Sequence, residues 1–152
     1  MFERYTENAR DVMSRARQEA QKFGHDHIGT EHILLGLIEV KTGIAAEILK
    51  SRAIDLRHAK EQVEKLVKHG SGGGEIAHGT LSRTEHAQHA LNDAVREARA
   101  LKHKHIGTEH LLLGLLYEKE CIATEVLANL NLRLNDIRND VLHFVQRSEN
   151  VA

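Results

Sequence analysis

The chain carries the same sentence twice. Displaced by about 78 positions, His27-Ile28-Gly29-Thr30-Glu31-His32 falls on His105-Ile106-Gly107-Thr108-Glu109-His110. The match continues with Leu34-Leu35-Gly36-Leu37 on Leu112-Leu113-Gly114-Leu115 and Ile44-Ala45 on Ile122-Ala123. Upstream, Thr6-Glu7 and Ala9 fall on Thr84-Glu85 and Ala87, and Glu19-Ala20 on Glu97-Ala98. Roughly 25 of 65 aligned positions are identical, so the repeated piece is a supersecondary unit. Between the copies lies Gly70-Ser71-Gly72-Gly73-Gly74, flexible by composition. The expected organisation is one domain over 1–152: a first repeat over 1–69, a Gly-rich linker over 70–80 and a second repeat over 81–148. About ten residues of Gly/Ser type span roughly 16–19 Å, enough for two halves to pack face to face.

Each repeat should be helical. Proline is absent, aromatics are 3%, and strong helix formers dominate, which points to an all-α fold. Thr6 can cap a helix from about Glu7 to Phe23, with Ala9, Val12, Met13, Ala16 and Ala20 on one face and Gly24 closing it. Thr30 is expected to cap a short helix from Glu31 to about Val40, apolar on nearly every side and therefore buried. Further helices follow from Ile44 to about Arg52 and, capped by Asp55, from Leu56 to about Lys68. The second repeat places Thr84, Thr108 and Leu134 correspondingly. The whole is two tandem four-helix repeats.

With 41% apolar residues and a net charge of -1, the chain is no disordered segment and shows no electrostatic footprint for nucleic acid or an anionic membrane. Cys121 is the lone cysteine, which excludes an internal disulfide and favours the cytosol. The charged start, Met1-Phe2-Glu3-Arg4-Tyr5, is unlike a signal peptide, and no apolar run reaches the roughly 20 residues of a membrane span.

The Thr-Glu helix starts carry the most informative chemistry. Taken singly, Thr30-Glu31 and Thr108-Glu109 can be ordinary capping, a threonine on a free N–H and an acid at the positive end of the helix dipole. If Thr6 and Glu31 lie together, however, free N–H groups would hold an anion while the carboxylate holds a guanidinium or ammonium group. Such a pocket suits a group with one anionic and one cationic end.

The phrases Phe2-x-x-Tyr5-Thr6-Glu7-x-Ala9 and Gly24-His25-x-His27-Ile28-Gly29-Thr30-Glu31-His32-Ile33-Leu34-Leu35-Gly36-Leu37, with their repeat, resemble the Clp N-terminal domain of ClpC- and ClpA-type AAA+ unfoldases, most of all ClpC. The resemblance covers nearly the whole chain. It implies a pseudo-two-fold helical module that receives substrate proteins and adaptors and delivers them to an ATPase ring. For ClpC-type members it implies recognition of arginine-phosphorylated proteins. By that resemblance Glu31 and Glu109 would hold the guanidinium, and Thr6 and Thr84 would help cradle the phosphate, with Thr30 and Thr108 as supporting helix starts. This chain departs from the family pattern at Ser82-Arg83-Thr84-Glu85, which lacks the usual proline, and at Lys102, which stands where Gly24 closes the first helix.

No enzyme is expected. Gly24 to Glu31 has the spacing of a phosphate-binding loop but lacks its lysine and hydroxyl, and no nucleophile elbow occurs. The twelve histidines invite a metal- or pH-responsive reading through His25, His27 and His32 or His103, His105 and His110. None of these pairs has the spacing that sets two imidazoles on one helical face, so neither metal nor cofactor is expected. A stand-alone regulator that competes for adaptors is the other alternative.

Overall fold

The computed structural model describes residues 4–67 and 82–150; the expected linker over 70–80 lies outside them. Among the described residues, eight helices carry the fold: α1 Glu7–Lys22, α2 Thr30–Glu39, α3 Ile44–Ser51, α4 Leu56–Leu66, α5 Glu85–Ala100, α6 Thr108–Tyr117, α7 Ile122–Asn129 and α8 Leu134–Asn150. The local signals explain the boundaries. The Thr6 and Thr84 hydroxyls accept from the Ala9 and Ala87 N–H groups, and Asp55 accepts from His58 N–H. At the other end of α1, Gly24 turns left-handed at φ 70°.

The apolar helices α2 and α6 form the centre. From Ile33 to Ile38 and from Leu111 to Leu116 every residue is buried. Gly36 and Gly114 let these helices press against α1 and α5. A β-carbon on Gly36 would collide with the Val12 carbonyl oxygen, and one on Gly114 with that of Ala90. The Leu-Leu-Gly-Leu phrase is thus a crossing point where two backbones nearly touch.

The repeats do not sit side by side as separate bundles. The third helix of each packs on the second and fourth helices of the other: α3 on α6 and α8, α7 on α2 and α4. Two short parallel pairings tie the halves together as well. Strand β1 (His27–Ile28) pairs with β2 (Ser82–Arg83), and Tyr5 bridges to Ile106. These short pairings supplement an otherwise all-α architecture. They satisfy backbone groups of the extended residues before the helix starts with partners from the opposite repeat.

Thr30 and Thr108 play a part different from the one their position suggests. Each is the first residue of its helix, and the N-cap position falls on Gly29 and Gly107. Their hydroxyls instead accept from the Ala123 and Ala45 N–H groups, at 3.2 Å in both cases. Each threonine therefore caps the third helix of the opposite repeat, whose own N-cap residues, Cys121 and Gly43, make no side-chain cap. Buried Cys121 is a packing residue at this joint.

Candidate functional site

The expected pairing of Thr6 with Glu31 within one repeat is replaced by a pairing between repeats. The Thr6 N–H donates to the Ile106 carbonyl and the Ile106 N–H to the Arg4 carbonyl, both at 2.9 Å. The start of α1 is thereby fixed beside the turn that leads into Glu109. In mirror fashion the Thr84 N–H donates to the Ile28 carbonyl at 2.9 Å, which fixes the start of α5 beside the turn into Glu31. Sequence spacing cannot show this exchange, because it depends on how the repeats cross.

One result is a cavity of about 410 Å³ lined by Thr6, Lys102, His103, Lys104, Glu109 and His110, among others. Thr6 spends its hydroxyl on Ala9, so the Glu7 and Asn8 N–H groups retain no acceptor within the helix. The wall thus combines a helix start from one repeat with two lysines and a carboxylate from the other.

Each residue of the Ile-Gly-Thr-Glu-His phrase has a separate duty. Ile28 and Ile106 make the pairings to the opposite repeat. Gly29 and Gly107 leave room for the acid: a β-carbon there would collide with the Glu31 or Glu109 carboxylate folded back over it. Thr30 and Thr108 cap the opposite repeat. Glu31 is 5% exposed and Glu109 half-buried, and burial raises both carboxyl pKa values. Each acid's own backbone N–H, with His25 or His103 nearby, partly offsets that rise.

His32 and His110 complete the phrase. The Gly29 and Gly107 N–H groups donate to their Nδ1 atoms at 2.8 Å, which puts the ring proton on Nε2. That proton points to Nδ1 of His25, 3.0 Å away, or of His103, 2.8 Å away. Burial, then the adjacent His25 or His103, pushes the His32 and His110 pKa values down to about 4. Both rings are neutral structural parts near neutral pH.

The same tautomer bears on metal binding. His25, Glu31 and His32 offer ligand atoms within 4.8 Å of one another, the one such group found among the described residues. An ion on His32 Nε2 would have to remove the proton that the Gly29 bond places there, leaving an imidazolate. A ligating histidine ordinarily donates a proton from its other nitrogen, whereas here that nitrogen accepts. The donor set does not fit a divalent cation. His86 and His89 instead face Glu118, with Nδ1 2.8 and 3.9 Å from its Oε2.

Fold and geometry together define a duplicated helical domain in which each candidate site lies where the two copies meet. Comparison with known proteins gives the family: the chain belongs to the Clp repeat (R) N-terminal domain family, whose model matches residues 4–83 and again 82–152. The chaperone protein ClpC1 of Arabidopsis thaliana, chloroplastic, is 46% identical over the full chain, which covers 16% of that protein. A ClpA homolog described as an ATP-binding subunit of the ATP-dependent Clp protease, from Guillardia theta, is 45% identical over the full chain and 18% of its own length. The chain thus spans less than a fifth of these relatives. Among solved structures, the N-terminal domain of the chaperone ClpD from Arabidopsis thaliana superposes with a TM-score of 0.80 at 25% identity, covering 96% of this chain and 97% of that one. The Hsp104 N-terminal domain from Candida albicans shares the fold, with a TM-score of 0.76 at 15% identity over 93% of this chain and 91% of that one.

Proposed function

We propose that this domain is a recognition module, not an enzyme, that receives substrate proteins and adaptors for a Clp-type AAA+ unfoldase. Its two cross-repeat sites would take the phosphorylated arginine of marked proteins. The observation that carries this reading is the shared cavity of Thr6, Lys102, Lys104 and Glu109. A phosphoryl-guanidinium group carries negative charge at one end and N–H donors at the other. Helix-start N–H groups and lysines suit the first, and a carboxylate suits the second. ATP hydrolysis would belong to the ring that the domain serves. No helix of the described residues is long and apolar enough to cross a membrane. The expected cytosolic setting is not shared by the chloroplastic relatives, and the compartment would follow that of the ring.

Calorimetric titration with free phosphoarginine, beside arginine and phosphoserine, tests the reading. Selective binding lost in Glu31→Ala plus Glu109→Ala is the expected result. Absence of binding to the unaltered domain would refute the ligand assignment. The raised carboxyl pKa values add a sign: as pH falls and the acids take up protons, guanidinium capture should weaken.

A further inference from the structure

We propose that the two sites are unequal, the one beside Glu109 being the stronger receptor for a phosphorylated arginine, with Lys102 and Lys104 as the residues that set the difference. The inference rests on the ligand class proposed above and adds a ranking and its cause.

The repeats allow a residue-by-residue comparison. Lys102 and Lys104 line the cavity with Glu109 and Thr6, while their counterparts before Glu31 are Gly24 and Asp26. Arg4 braces the Lys104 backbone, donating from Nε and Nη2 to its carbonyl at 3.4 and 3.3 Å. Its counterpart is the neutral Ser82. In the first repeat Asp26 lies 2.6 Å from His27 Nδ1, and beside Thr84 the Arg83 side chain donates to Gln88 at 2.9 Å. Two lysines therefore line one site, where the corresponding positions of the first repeat hold a glycine and an acid. Neither Lys102 nor Lys104 has a carboxylate within ion-pair distance among the described residues, so their charge is not neutralised locally.

The backbone reinforces the point. Lys102 holds φ 61° where Gly24 holds φ 70°. A left-handed turn favours glycine, and a side chain there costs stability. Ala53, Glu120 and Asn131 also accept such a φ, so the conformation alone assigns no role. At Lys102, however, the side chain retained at that cost is a cation on the cavity wall.

Two exposed cations should tighten capture of a phosphoryl group about three- to tenfold at low salt, a difference that shrinks as salt screens them. Titration of the isotope-labelled domain with free phosphoarginine reads the sites separately through the Gly29 and Gly107 amide signals. The Gly107 signal should saturate first. Lys102→Gly plus Lys104→Asp should bring it level with Gly29, and Gly24→Lys plus Asp26→Lys should strengthen the Gly29 site by a similar factor. Thermal melts check folding, and the first variant should melt no lower than the unaltered domain because it removes a left-handed lysine. Equal affinities that the exchanges leave unmoved, or earlier saturation at Gly29, would overturn the ranking while leaving the ligand class intact. No saturable shift at either glycine would overturn both.

Discussion

Glu19 and Glu97 occupy matching places on α1 and α5, yet the two repeats satisfy them differently. In the first repeat Glu19 is 1% exposed, with Oε1 3.2 Å from Lys60 Nζ and 3.5 Å from Lys22 Nζ. Its Oε2 is buried without an N–H or hydroxyl donor, and the neighbour able to supply one is Glu39, by keeping its own proton. In the second repeat Arg138 stands for Lys60 and Tyr117 for Glu39. The Arg138 guanidinium lies 3.8 Å from Glu97, donates to the Tyr117 hydroxyl at 3.5 Å and sits 4.7 Å from the centre of its ring. One joint sets the buried acid Glu19 beside lysines and a second, partly exposed acid; the other uses a cation and a neutral aromatic. The two joints occupy matching places but differ in their charges, which gives the first an acid pair that the second lacks.

The electrostatics follow that division. Burial alone would raise Glu19, but the Glu39 hydrogen bond with Lys60 and Lys22 outweighs it and holds the pKa low. Burial, then the Glu19 carboxylate, raises Glu39. Stability from the protonated Glu39 is full below its unfolded pKa and declines as pH rises through the raised folded value.

The largest effects should be alike in both repeats. His32 and His110 have folded pKa values pushed down to about 4, so the unfolded chain binds more protons between there and about 6.5. Each should cost about 3 kcal/mol as pH falls through that window, which denaturant melts at stepped pH would show as a steep loss. Gly36→Ala and Gly114→Ala should each cost about 1–3 kcal/mol, because the new methyl meets a backbone carbonyl. A marked difference between the two would contradict their equivalence. The joints should then separate: Glu19→Ala should cost about 1–3 kcal/mol, because a fully buried side chain and its bonds to Lys22 and Lys60 are lost, and Glu97→Ala about 1 kcal/mol or less. Smaller still, Glu39→Gln keeps a donor without needing a proton. It should gain about 1 kcal/mol over the unaltered domain at pH 8 and little at pH 4, as melts at the two pH values would report.

The helices were legible because their signals are local. Expected spans such as 7–23 and 44–52 differ by one residue from Glu7–Lys22 and Ile44–Ser51, since Thr6, Gly24 and the apolar periodicity act within a few residues. The candidate acids and threonines were legible as a repeated phrase. Their partners were not: Thr6 meets the turn into Glu109, and Thr30 caps Ala123, through contacts roughly a hundred residues apart in the chain. The roles of Gly29 and His32 were equally hidden, since space for a carboxylate and a ring tautomer emerge only once the turn is folded.

The stoichiometry of phosphoarginine binding in two double variants tests most directly whether each site draws on both repeats. Thr6→Ala plus Glu109→Gln should remove both halves of one site and leave the domain binding one equivalent. Thr6→Ala plus Glu31→Gln should damage both sites and abolish binding. The reverse pattern, with Thr6→Ala plus Glu31→Gln retaining one equivalent and Thr6→Ala plus Glu109→Gln retaining none, would place Thr6 with Glu31 and contradict the exchange between repeats.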